Sequence, residues 1–274
     1  MIPPSQREGV QVANILVFDS GMGGLSVYRE IRQSLPNHNY YYCFDNANFP
    51  YGELSEPALI QACVGLVSRM VAQLAIDLVV IACNTASTLA LPALRSALSI
   101  PVVGVVPAIK PAATLTRNGC IGLLATPGTV ARPYTHELIA QFAPGKRVLL
   151  KGTTELVIEA EQKLAGKAVD MALLQTVLAD WLTGEERPDT LVLGCTHFPL
   201  LDSEIQRLMP GCRLVDSGAA VAKRVSHLLA SHDMTESVGT PQAHAYCTRL
   251  DDEAKKLTAP LQAWGLSTLT EVMD

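Results

Sequence analysis

The chain has 274 residues, 49% hydrophobic and 17% charged, enough to bury one large or two modest cores, which excludes a disordered or fibrous chain. Its formal net charge of −5 gives no sequence-independent grip on nucleic acid or an anionic membrane, so nucleic acid is not the expected substrate. Seven cysteines, with no CxxC pair and no closely spaced Cys/His set, argue against both a disulfide framework and a metal site. The N-terminal stretch MIPPSQREGVQVAN has no apolar leader run, and no later stretch reads as the ~18 apolar residues of a membrane span. The expectation is a cytoplasmic enzyme with reduced thiols.

In chain order, strands are predicted at 14–18 and 40–44, a helix at 56–74, a strand at 78–82, a helix at 85–98 and a strand at 101–105. A strand at 120–124, a helix at 129–142, a strand at 148–150 and a helix at 168–182 follow. Strands at 190–193 and 213–215 and a helix at 217–230 complete the series. Such alternation predicts an α/β fold of doubly wound parallel sheets covered on both faces. In these sheets ligands collect beyond the carboxyl ends of the strands.

Those ends resemble one another in pairs. NILVFDSG (14–21) ends a strand in Asp19, Ser20 and a glycine turn, and CIGLLATPG (120–128) does nearly the same with Thr126 and Gly128. The run before Cys83-Asn84-Thr85 likewise matches the run before Cys195-Thr196-His197, at a similar separation. Two duplicated halves placed face to face would enclose a cleft with a thiol on either wall.

Cys83 and Cys195 each follow an apolar strand and precede a polar pair that opens a predicted helix. The free N–H groups and partial positive charge of a helix start stabilise a thiolate, pulling a cysteine below its usual pKa of ~8.5. Asn84, Thr85 and Thr196 can cap such a helix or donate to an anionic ligand. Cys43, Cys63, Cys120, Cys212 and Cys247 lack this context and read as small buried hydrophobes.

The turn DSGMGGLS (19–26) is no P-loop, since no Gly-Lys-Ser/Thr follows. As a dinucleotide fingerprint it has Ser26 in place of the third glycine, although Asp45 stands where a ribose-binding carboxylate would. Its simpler role is a turn whose N–H groups and Ser20 hydroxyl face a small anion. Asp19 can accept an amino group or orient a thiol. The loop NFPYG (48–52) brings Tyr51 and Gly52 to the same edge, and His197 is a candidate general base or electrostatic partner of Cys195.

The stretches VFDSGMGGLSV (17–27), FPYGELS (49–55), IACNTAS (81–87), LLATPGTV (123–130), LGCTHFPLL (193–201) and VDSGAAVAKRV (215–225) resemble the cofactor-independent aspartate/glutamate racemase family. The combination is closer to its glutamate-specific branch than to its aspartate branch. The resemblance implies two pseudo-symmetric α/β domains with the active site in the cleft between them. One comprises 1–104 plus 214–274 and carries Cys83; the other, inserted at 105–213, carries Cys195.

It further implies an isomerase that interconverts L- and D-glutamate without pyridoxal phosphate or any other cofactor. One thiolate removes the α-proton and the opposite thiol returns a proton to the other face: Cys83 acts on D-glutamate, Cys195 on L-glutamate. Asp19 and His197 support the two thiols. Asp19, Ser20, Tyr51, Gly52, Asn84, Thr85, Thr126, Thr196 and His197 hold the amino acid, with Thr129 contributing near its carboxylate end. The biological role so implied is D-glutamate for peptidoglycan. Members of the family form dimers or monomers, some respond to a cell-wall precursor, and some have been linked to DNA gyrase.

Two other classes fit parts of the pattern. A Cys195–His197 hydrolase is one, although residues two apart at the start of a helix face each other poorly and Cys83 is left idle. The other is a two-lobed amino-acid-binding module, which predicts binding of glutamate with no α-proton exchange.

Overall fold

The structure is a computed structural model and describes residues 12–184, 186–232, 234 and 240–273; most of the N-terminal stretch read above for a leader lies outside them. Its strands are β1 (Asn14–Asp19), β2 (Asn39–Phe44), β3 (Leu78–Ile81), β4 (Val102–Gly104) and β5 (Cys120–Ala125), then β6 (Arg147–Gly152), β7 (Thr190–Leu193), β8 (Arg213–Val215), β9 (Ala243–Cys247) and β10 (Leu269–Glu271). The helices are α1 (Leu25–Ser34), α2 (Glu56–Leu74), α3 (Asn84–Ala97), α4 (Ile109–Leu115), α5 (Pro127–Ala131) and α6 (Pro133–Phe142). They continue as α7 (Glu155–Leu164), α8 (Met171–Thr183), α9 (Asp202–Leu208), α10 (Gly218–Ser231), α11 (Asp252–Lys256) and α12 (Thr258–Ala263).

The strands form two sheets, ordered β10-β9-β2-β1-β3-β4 and β6-β5-β7-β8, with parallel pairing throughout. The order β2-β1-β3-β4 recurs as β6-β5-β7-β8, and the central register recurs with it. Ile15–Phe18 pair Leu78–Ile81 as Ile121–Leu124 pair Thr190–Leu193. The fold is therefore two equivalent parallel α/β halves, the first extended by two strands at one edge.

Alternation along the strands explains why both faces are covered. On β1, Ile15 and Val17 pack with residues of α1 and α10, while Leu16 and Phe18 pack with α2 and α3. On β7, Leu191 and Leu193 join α7, α8 and α9, and Val192 joins α4 and α6. Each such side chain removed from water contributes about 1.5–3 kcal/mol, which fixes the register that carries the strand ends.

Three expectations change. The helix predicted at 129–142 is broken at Arg132, because Pro133 holds the preceding residue extended (φ −75°, ψ 139°) and itself starts α6. Strands β9 and β10 were not foreseen. By length and composition α2 is apolar enough to cross a membrane, with a mean hydropathy of 1.3, which corrects the expectation that no later stretch reads as a span. In the structure its Leu59, Cys63, Leu66, Val67 and Met70 pack against the first sheet.

Candidate active site

The carboxyl ends of β1, β3, β5 and β7 converge on one cavity between the two sheets. Asp19, Ser20, Tyr51, Gly52, Cys83, Asn84, Thr85, Thr126, Cys195, Thr196 and His197 all line it, so of the site residues singled out from the sequence only Thr129 stands outside its wall. About 20 Å³ of it is open to the centre of a water molecule, room for about one water. Cys83 and Cys195 are 5% and 6% exposed, and all seven cysteines are unpaired.

On the first wall Cys83 caps α3, its sulfur accepting the Ala86 N–H at 3.5 Å and lying 3.8 Å from Ser20 Oγ. The helix start does not win here. Burial, reinforced by the Asp19 carboxyl, pushes the Cys83 thiol well above its ordinary value, contrary to the expectation from the sequence.

The glycine turn does bind an anion, but the anion is the protein's own. Asp19 accepts the N–H of Ser20 at 2.7 Å, the N–H of Gly24 at 2.5 Å and the Thr196 hydroxyl at 3.2 Å. Burial pushes the Asp19 carboxyl up to about 6 despite these donors and the nearby His197. Tyr51 donates its hydroxyl to Asp45 at 2.7 Å, and Asn48 and Thr248 also donate to that carboxylate. Asp45 thus pins the NFPYG loop and is not left for a ribose.

On the second wall Cys195 precedes a 3-10 turn (Phe198–Leu201) rather than an α-helix. Cys195 and His197 lie in the turn ahead of it rather than inside a helix, which overturns the expected poor facing: Cys195 Sγ lies 3.7 Å from His197 Nδ1. The other imidazole nitrogen, Nε2, lies 2.7 Å from Glu161 Oε1. Burial opposes a charged imidazole, but Cys195 and Glu161 outweigh it and hold the His197 pKa well above its usual value. Glu161 also accepts the Met22 N–H at 2.5 Å, joining α7 of the second half to the glycine turn of the first.

The glycines of that turn are explained by close approach. A Cβ on Gly23 would sit 2.6–2.7 Å from His197 ring carbons, and one on Gly21 would meet Glu161 and the Phe49 ring. Phe49 in turn packs against the imidazole with 5.8 Å between ring centres.

Sequence reasoning missed Glu161, together with Pro50, Thr154 and Val157 on the cavity wall. Glu161 is far in sequence from His197 and sits on α7, where an amphipathic pattern disguises it as a surface carboxylate. Thr129 does not line the cavity; it accepts the Thr126 hydroxyl at 2.9 Å and so orients it. Among the described residues, Asn84 Nδ2 is the buried side-chain polar atom left without a partner.

Together the fold and cavity define a two-halved α/β protein with a buried thiol on either wall of one cavity. The chain belongs to the Asp/Glu/Hydantoin racemase family, whose model matches residues 15–225. Its relatives include the glutamate racemase of Klebsiella pneumoniae (strain 342), 53% identical over 259 residues, covering 94% of this chain and 91% of that protein. The glutamate racemase of Serratia proteamaculans (strain 568) is 50% identical over 270 residues, 98% of this chain and 94% of that one. Among solved structures, Escherichia coli glutamate racemase, in complex with L-glutamate and the activator UDP-MurNAc-ala, superposes with a TM-score of 0.91 at 50% identity, covering 96% of this chain and 98% of that one. A glutamate racemase isoform from Bacillus anthracis gives 0.79 at 30% identity, covering 96% and 97%.

Proposed function

We propose that the protein is a glutamate racemase that inverts Cα with two thiols. The observation that carries this reading is the placement of Cys83 and Cys195 at the ends of equivalent strands, in one cavity. Inverting a stereocentre by proton transfer needs a base on one face and an acid on the other, and the roles exchange when the reaction reverses. A thiolate takes the α-proton as the C–H bond breaks. The opposite S–H then delivers its proton to the other face of the carbanion.

The family resemblance assigns Cys83 to D-glutamate and Cys195 to L-glutamate. Asp19 with Ser20 supports the first thiol, and His197, held by Glu161, supports the second. The orphaned Asn84 amide and the Thr85 hydroxyl present neutral donors to the carboxylates, Thr126 and Thr196 line the cavity beside them, and the narrow cavity limits water while charge develops at Cα. The reaction relies on these fixed donors in place of a pyridoxal electron sink. The chain crosses between the halves near residues 105 and 214. In the cell the product is D-glutamate for peptidoglycan, made in the cytoplasm, with a cell-wall precursor as regulator, as the activator of the E. coli relative suggests.

The test follows D- and L-glutamate separately in D2O, with aspartate as control, reading optical rotation and α-deuterium together. Racemisation of glutamate with deuterium at Cα is expected, and Cys83→Ser and Cys195→Ser should each abolish net racemisation. Wild-type rates in both variants would refute the two-thiol mechanism. Glutamate binding with no exchange would favour the binding module instead. The Cys195–His197–Glu161 chain also has the order of a nucleophile, base and orienting acid; ester or amide hydrolysis without racemisation would favour that reading.

A further inference from the structure

None of the residues lining the cavity is a lysine or arginine. Just beyond it, Arg132 occupies the break that Pro133 imposes between α5 and α6. Its Nη1 donates to Thr88 Oγ1 at 2.5 Å, and Thr88 lies on α3, in the opposite half. The Thr88 hydroxyl in turn donates a hydrogen bond to the Thr85 carbonyl at 2.9 Å. Thr85 is a wall residue whose hydroxyl lies 3.4 Å from that of Thr126, the cap of α5. Two side-chain links therefore join α3 to the α5–α6 region next to one another, and the one through Arg132 is charge-assisted and the stronger. Partial burial lowers the Arg132 pKa, opposed by Glu56 and by Cys83.

We propose that Arg132 is a clasp: its bond to Thr88 holds the second half shut over the helix that begins at Cys83, and so sets how firmly substrate is retained. The inference rests on the racemase reading above. A cavity with room for about one water admits a five-carbon amino acid only when the halves part, and parting them breaks the Arg132–Thr88 bond. The clasp acts on the closed population and leaves the wall residues in place. Weakening it raises the apparent KM for both enantiomers by a common factor and spares the chemical step inside the closed cavity.

Steady-state kinetics in both directions on wild type, Arg132→Met, Arg132→Lys, Thr88→Val and the Arg132→Met/Thr88→Val double variant test this, with unfolding midpoints as a control on folding. Arg132→Met and Thr88→Val should each raise KM about tenfold in both directions with kcat unchanged or higher. The double variant should be no worse than either single, and Arg132→Lys should recover part of the loss. An unchanged KM in Thr88→Val or Arg132→Met, additive single effects, or a loss of kcat at constant KM overturns the clasp. Thr88→Val decides the matter if Arg132→Met does not fold. A wild type that racemises neither enantiomer overturns the functional reading itself, whereas a racemising wild type with indifferent variants overturns the clasp alone.

Discussion

Asp19 and His197 face each other across the cavity with pKa values displaced for different reasons. Folding raises the Asp19 pKa from 3.8 to about 6, so the folded state binds more protons between those values and stability falls as pH rises through them. Two pKa units amount to about 3 kcal/mol. Urea unfolding at about pH 4 and pH 7 should therefore show a pH-dependent loss in the wild type that Asp19→Asn reduces by roughly that amount. His197 is also raised, so its favourable contribution is complete below its ordinary pKa and is lost as pH climbs through the raised one. Glu161→Gln removes a partner that holds the imidazole charged. It should move the alkaline limb of the kcat profile to lower pH by roughly 1–3 units, read by racemisation across pH. Both cysteines and Asp19 were legible because short motifs at strand ends announce them. Glu161 was not, since its meaning comes from a contact between two distant helical turns.

At the scale of elements, one substitution has opposite effects on two glycines. Gly23→Ala pushes a methyl into an imidazole already fixed by Glu161 and Phe49, and displacing that ring by about 1 Å should cost roughly a hundredfold in kcat/KM. Gly65 lies inside α2 with open space around its would-be Cβ, so Gly65→Ala should raise unfolding free energy by about 1 kcal/mol without touching activity. Denaturant curves and initial rates on the two variants check both. The strands of both sheet centres and the start and end of α2 were readable from apolar runs and flanking breakers. The break at Arg132 was masked by an amphipathic pattern that runs through Pro133, which carried the contrary signal. The short edge strand β10 and its neighbour β9 bury little of one face and leave a faint pattern.

For the whole molecule, the paired cysteines were enough to suggest duplication, but the strand order that establishes it is a property of long-range pairing that no local motif encodes. Because one cavity holds both thiols, a single opening exposes both. Iodoacetamide should therefore modify Cys83 and Cys195 with a shared dependence on glutamate, each slowed by the same factor as the halves close on substrate. Peptide mapping of the alkylated protein reads this directly. Unequal protection of the two sulfurs would show that the walls open separately.

The two sulfurs share one cavity yet keep unlike company: a hydroxyl and a carboxyl beside Cys83, an imidazole and a carboxylate beside Cys195. Mirror-image amino acids have equal free energies in water, so this asymmetry cannot bias the final mixture. Under the proposed two-thiol mechanism its outlet is the resting enzyme, which would wait in two proton isomers, one ready for each enantiomer. A change at Asp19 or Glu161 alters how long each isomer waits and which hand of substrate saturates it first, while the product remains an equal mixture.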